Sequence, residues 1–501
     1  MLTPAAGSRN VIDSSVASLA YAFEQGPGVL VSNPVWQELS ITGYDEFGST
    51  IETYAPSEIK RGRQQPLGEV VGLAATGGFS CVLYQRNLRD FFPGFTFTPP
   101  YTYGQLQGSA AITAVSSTTI TVVGAAAAGF VKPTSADLLV RLSGFGNAND
   151  NKIVKVTAAT DTALTTAGLT TTSSPPATAT VELVGYELTG SGVSLDVTRS
   201  VTSLKGFALP AGSKLREGSW IRVGGTTSAT QFSEATTGYA RVGTVSAAGI
   251  NLDITTFTPA AIAGSAGIQI FIPTHNYRNS TLDTYYYYQL ERRLGVGAAG
   301  VQGEYVSGCL ANELTFNFPT REVVNASVGF VARDAQTMSG SLKSTGTILP
   351  PLRERTYNSS AAIKHVNLYQ HGSSSSKAAM FRFLSEMSLT VNNNITSVPA
   401  VGSVPAIDVS AGDFNVTGSA TAYFKEATAI QAARDNADVG LYAVGNRENE
   451  GWIMDIPHTR LGEVSLGVSA NEPITVEITS NAGESALGYM VSFDFFDYLP
   501  E

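Results

Sequence analysis

Apolar and polar residues alternate with period two in two stretches, 313–332 and 463–482, which match without a gap at a separation of 150 residues. Leu314, Phe316 and Phe318 alternate with Glu313, Thr315 and Asn317, while Val464, Leu466 and Val468 alternate with Glu463, Ser465 and Gly467. Such alternation marks a strand with one buried face. Turn chemistry follows at 319–322 and at 469–473. A second apolar face then returns through Val324, Ala326, Val328 and Phe330 in one copy and Ile474, Val476 and Ile478 in the other. Each stretch predicts a β-hairpin.

The echo extends upstream. Residues 37–42 resemble 385–390, and 79–84 resemble 418–424; each of the latter runs into a candidate helix, 85–92 or 425–436. Four elements in the same order point to an internal duplication, the competing reading being one large unrepeated β domain. Further strands are expected at 18–23, 36–42, 285–293, 452–456 and 490–498. Residues 10–21 fit either a helix or a loop leading into a strand. The passage 44–69 is polar throughout and reads as a long connection, of a length usually reserved for function or for a partner.

Residues 105–283 interrupt the first copy and carry a weaker repeat: 139–145 resembles 220–226, and 153–167 resembles 240–255. The predicted organisation is an arm at 1–16, a discontinuous first module at 17–104 plus 284–335, inserted β modules at 105–186 and 187–283, a linker or arm at 336–377, and a second module at 378–501. The inserts are expected on the outer surface, where they can be removed without loss of assembly.

Several ordered motifs resemble the tail tube proteins of long-tailed bacteriophages. They are the strand SLAYAFE at 18–24, the set Pro34, Trp36, Leu39 and Thr42, a loop ending in Arg61-Gly62-Arg63, a glycine-rich strand at Gly77 and Gly78, and GFVARDA at 329–335. The resemblance covers 17–103 and 284–498. It implies an all-β fold of duplicated tail-tube-type sandwich or barrel modules carrying two small inserted β domains. It also implies rings that stack into the conduit through which genome DNA leaves the virion. Relatives with one module close six subunits into a ring, so two fused modules favour three chains per ring, with six as the alternative. Other tail proteins, at the tip and the terminator, are the further partners implied. Candidate lumen-facing residues are Glu313, Glu463 and Glu477, and candidate inter-subunit loop residues are Glu52, Lys60, Arg61 and Arg63. Which strand face points inward is open at this level.

Composition narrows the alternatives. Fifty glycines and short alternating runs suit β structure. A net charge of -10 argues against a protein that grips nucleic acid through its phosphates, so DNA is expected to pass without specific binding. The chain has no run of about eighteen apolar residues and no secretory start, so neither membrane insertion nor export is expected, and synthesis in the host cytoplasm follows. Cys81 and Cys309 lie in apolar alternating runs and read as buried thiols. The four histidines show no metal-ligand spacing; His365 and His371 are the pair expected to approach in space. Neither a nucleophile motif nor a nucleotide-binding glycine loop is present, so no enzyme activity and no cofactor are expected. The rival reading is another β-rich assembly: a capsid decoration protein, a secretion-type tube or a glycan-binding adhesin.

Overall fold

The computed structural model describes residues 17–499, except 58–61, 63, 65, 173, 190–192, 199–200, 207–214, 247–248, 265, 298–299, 341, 345–346, 353–355, 372–383, 425–427 and 471. The architecture is all-β, with short helices. In chain order the main body consists of β1 (Ser18–Gly26), β2 (Val35–Leu39), β3 (Gly43–Tyr54), β4 (Glu69–Val82), α1 (Gln85–Arg89), α2 (Phe92–Thr96), β5 (Tyr287–Gly297), β6 (Gly300–Phe318), β7 (Asn325–Ala332) and β8 (Asp334–Gly340). It continues with β9 (Ile363–Gln370), β10 (Leu384–Asn392), β11 (Asn415–Tyr423), α3 (Thr428–Arg434), β12 (Asp438–Arg447), β13 (Glu450–Gly467), β14 (Thr475–Ala482) and β15 (Ser492–Phe496).

Two strands set the design. β6 and β13, 19 and 18 residues long, each belong to two sheets. The first half of β6 pairs with β5 and β8, and its second half with β7 and β10. The first half of β13 likewise pairs with β12 and β15, and its second half with β14. Each carries a register shift at the crossover, between Ala311 and Glu313 and between Leu461 and Val464. An extra residue at that point bends the strand and increases its twist, which carries it from one sheet into the next.

The result is a repeated sandwich. Its outer layers are β2–β1–β5–β6–β8 in the first half of the chain and β9–β12–β13–β15 in the second. The inner layers are β3–β4–β7–β6 and β10–β11–β14–β13. Pairing of β6 with β10 fuses the inner layers into eight antiparallel strands in the order β3–β4–β7–β6–β10–β11–β14–β13. Apolar residues on one face of this sheet meet the outer layers in a core shared by both halves. There Phe92 of α2 packs 4.6 Å from Phe493 and 4.8 Å from Phe495, measured between ring centroids. A side chain on Gly94 would meet the Tyr288 hydroxyl at 2.6 Å, so only glycine lets α2 lie this close to β5.

Some expectations shift. The first part of the polar passage 44–69 is strand: β3 occupies Gly43–Tyr54 and pairs with β4. Its far end is exposed on both sides, so no buried face imposed alternation. Position in the sheet also makes β3 the counterpart of β10, whereas 37–42 contributes β2 to the outer layer. The expected strand at 452–456 is the first half of β13, and His371 approaches His458, with ring centroids 6.5 Å apart, rather than His365.

Strands from 105–186 and 187–283 meet in one eleven-stranded sheet, joined where Gly185–Glu187 pairs with Gln269–Phe271. A four-stranded sheet of the segments Ile112–Val115, Thr119–Val122, Ala158–Thr160 and Ala163–Thr165 accompanies it. The strand Thr274–Tyr277 already pairs with β15 in the main body.

The insert is seated on the outer layer of the second half. Leu139, Val184, Trp220, Tyr239, Ile254 and Phe271 pack against Tyr369, Tyr442, Val444, Ile453, Phe496 and Leu499. Buried charge pins the seam. Arg241 Nη1 lies 3.0 and 3.2 Å from the two Asp455 oxygens and 3.1 Å from the Tyr369 hydroxyl. Nearby, His275 Nδ1 lies 2.6 Å from Asp494 Oδ1, and the Trp220 N–H donates to Asp494 Oδ2 at 3.2 Å. Burial raises the Asp494 carboxyl above its ordinary range, with His275 opposing the shift. Excision of the insert, expected from the sequence to be harmless, would expose this apolar seam and strand two buried carboxylates.

Candidate functional site

The inner sheet turns one face away from the core, and the register places its residues in rows. Ser80, Ser327, Thr315, Thr390, Thr417 and Asn481 form one row. Gly78, Gly329, Glu313, Asn392 and Asn415 form the next, with Asp45 opposite Gly78. A third runs from Val82 through Asn325, Asn317, Ser388 and Ser419 to Thr479. These side chains bond across the strands: Ser80 Oγ to Ser327 Oγ at 3.0 Å and Thr315 Oγ1 to Thr390 Oγ1 at 2.9 Å. Ser388 Oγ donates to Asn317 Oδ1 at 2.9 Å, and Asn392 Nδ2 to Glu313 Oε2 at 3.1 Å. Such cross-strand pairs fix the register of a sheet whose polar face gains nothing from burial.

Glu313, Glu463 and Glu477 all lie on this polar side and are exposed. Glu463 sits at the β13 bulge, its backbone N–H donating to Thr479 Oγ1 at 2.9 Å, and Glu477 stands opposite Ser465 and Thr421. Glu386 and Asp45 join them. The alternation of Glu386, Ser388 and Thr390 marks Glu386 in the sequence, whereas Asp45 lies in a passage whose polarity reads as a connection. The cation in these rows is Arg460, opposite Asn481 at the sheet edge, its Nε 3.4 Å from Asp438 Oδ1. A hydroxyl and amide surface whose described charges are carboxylates, with one arginine beside Asp438, offers a polyanion little counter-charge to hold it.

Among the described residues the sheet has two open edges, β3 and the second half of β13. Rows facing the core show that the two inner layers repeat: Leu314–Val328–Phe79–Tyr44 in one and Val464–Ile478–Ala420–Met387 in the other. Equivalent residues have different surroundings. Phe316 and Phe318 are 4% and 7% exposed, whereas Leu466 and Val468 are 49% and 72% exposed. β10 lies against β6, and Phe92, Phe493 and Trp452 cover Phe316 and Phe318, whereas among the described residues no strand pairs with the outer side of the second half of β13. At the opposite edge Ile51 and Tyr54 are exposed as well. Glu52 lies on β3, exposed and opposite Gly72, while Lys60, Arg61 and Arg63 fall outside the described residues.

Among the described residues no cluster of histidine, cysteine and carboxylate side chains could hold a metal ion, and no helix is long and apolar enough to cross a membrane. Cys81 and Cys309 are buried free thiols, and burial pushes Cys81 up to about 12.

The site is thus a long polar sheet face bounded by strands that lack a partner on one side among the described residues, the makings of a structural rather than a ligand-binding surface. The chain belongs to the phage tail tube protein family, whose family model matches residues 14–482. It is thus a structural component of a phage tail tube, and its place is the virion tail. No curated protein matches the chain.

Proposed function

We propose that the chain polymerises as stacked rings of three copies, with the polar face of the inner sheet lining the conduit for genome DNA, and that it works by assembly rather than catalysis. The observation that carries this is the contrast between Phe316 and Phe318, buried with β10 beside them and Phe92, Phe493 and Trp452 against them, and Leu466 and Val468, exposed at the open end of β13. Pairing β13 of one copy with β3 of the next supplies a strand there and satisfies both edges, which otherwise invite aggregation.

The register supports a particular barrel. Val464, Ile478, Ala420, Met387 and Phe318 lie on one row, and Phe318 is the counterpart of Val468, so the pairing slips four residues over four strands. One residue of shear per strand corresponds to a tilt of about 36°. Three chains then close twenty-four strands into a barrel about 45 Å between opposing backbones, leaving a lumen of roughly 35 Å once side chains are added. Six chains would give about 90 Å, far wider than a duplex requires. Glu313, Glu463 and Glu477, with Glu386 and Asp45, would then face the DNA and keep it from adhering.

In this reading the modules are 17–104 with 284–335 and 378–501, and the insert decorates the exterior above alternate modules. Glu52 lies on β3, at the edge that meets the next copy in the ring, and Lys60, Arg61 and Arg63 are proposed as further inter-subunit contacts from the sequence alone. Mass per ring by scanning transmission microscopy, together with the lumen diameter from helical reconstruction, tests it. Three chains and a narrow lumen are expected; six chains or a two-dimensional lattice would overturn the proposal.

A further inference from the structure

The internal repeat contains a template for the contact between chains, because the β6–β10 junction within one chain has the same partners in sequence as the open β13 and β3 edges. Resting on the ring reading above, the geometry points to one register for that contact: Thr50 of one copy opposite Glu463 of the next, with Glu52 opposite Arg460.

The derivation uses pairings on both sides. In the second half Ser388, Thr390 and Asn392 stand opposite Ser419, Thr417 and Asn415. In the first half Asp45, Gly48 and Thr50 stand opposite Gly78, Thr76 and Ala74, a bulge at Glu46–Phe47 absorbing the extra residue. Thr50 therefore holds the place of Asn392. Asn392 lies opposite Glu313, and the counterpart of Glu313 is Glu463, since both follow equivalent crossover bulges. Stepping past the bulge residue Gly462 brings Leu461 opposite Ile51 and Arg460 opposite Glu52.

The two junctions then diverge for a visible reason. β10 stops at Asn392, and Asn394 turns the chain away with φ 48°. The hairpin beyond it covers Leu310 with Ile395 and Val409. β3 instead runs on to Tyr54. At the place of Leu310 the second half carries Arg460, which an apolar hairpin would bury at great cost but a continuing acidic strand suits. Ile51, 57% exposed in the single chain, gains the buried Leu461 as its neighbour. Arg460 and Glu52 both project from the polar face, at the edges that meet, and opposite charges directly across a strand pair favour one register over its neighbours.

The test uses the full chain assembled into tubes. Thr50→Cys with Glu463→Cys should give oxidation-dependent crosslinks between chains that stop at three on a denaturing gel. Thr50→Cys with Ser465→Cys should not, and the wild type, whose two thiols are buried, sets the background. Separately, Glu52→Arg and Arg460→Glu should each raise the concentration needed for polymerisation about five-fold, and the double variant should restore it. Tubes that crosslink through residue 465 rather than 463, or a double variant no better than either single one, would overturn the register while leaving the tube reading intact. Wild-type protein that forms no tubes at all would remove the tube reading itself.

Discussion

Replacing Arg241 by Met tests whether the insert is an integral layer of the subunit. Arg241 is buried, with Nη1 bonded to both Asp455 oxygens and to Tyr369, and Nε 3.0 Å from Asp253. Asp455 is fully buried, and its other hydrogen bond among the described residues comes from the Tyr489 hydroxyl, at 3.3 Å. Methionine fills similar volume, so packing loss is small and the dominant effect is an uncompensated carboxylate. Breaking a buried pair from one side costs about 3–5 kcal/mol, whereas replacing both partners by apolar groups is often neutral. Arg241→Met should therefore lower the urea midpoint strongly, and Arg241→Met with Asp455→Leu should recover most of it. Urea unfolding followed by tryptophan fluorescence is suited to the measurement because Trp220 sits in the seam and Trp452 in the adjoining core. A single variant costing less than about 1 kcal/mol, or a double variant no better than the single, would refute the view that this pair anchors the insert.

Leu466→Asp with Val468→Asp should abolish polymerisation while leaving the unfolding midpoint of the single chain nearly unchanged, because both side chains are exposed there; sedimentation and thermal melts check the two halves of that statement. Glu313→Lys, Glu463→Lys and Glu477→Lys combined should make assembled tubes retain duplex DNA in a salt-dependent way, and retention unaltered by salt or charge would count against a lumenal position. Burial raises Glu24 from 4.5 to about 7, although the backbone N–H groups of Gly28 and Gly308 favour its ionised form. Because the folded chain holds this proton more tightly than the unfolded chain, stability should be highest below pH 4.5 as far as Glu24 is concerned. It should then fall by about 3 kcal/mol as pH rises to 7. Glu24→Gln should flatten that part of the pH–stability curve.

Periodicity alone made much of the inner sheet legible. Leu314, Phe316 and Phe318 announce a strand with one buried face, their echo in Val464, Leu466 and Val468 announces the duplication, and Glu313, Glu463 and Glu477 fall on the opposite face by the same period of two. These properties are local, since alternation follows from strand geometry wherever a core covers one side. Other features lie beyond that logic. β3 has no alternation at its far end because neither side is covered within the chain, so its sequence reads as a loop.

The tertiary structure decided which strands adjoin. Hydrogen-bond partners of a sheet edge are set by distant segments, and nothing in residues 313–318 records that 387–392 will lie beside them. That pairing makes the inner layers one sheet and leaves β3 and β13 as its edges. The seam through Arg241, Asp455 and Asp494 is equally a matter of contact across more than 200 residues of chain. A buried charge is stabilised by a partner in space, and single-sequence periodicity carries no record of that partner.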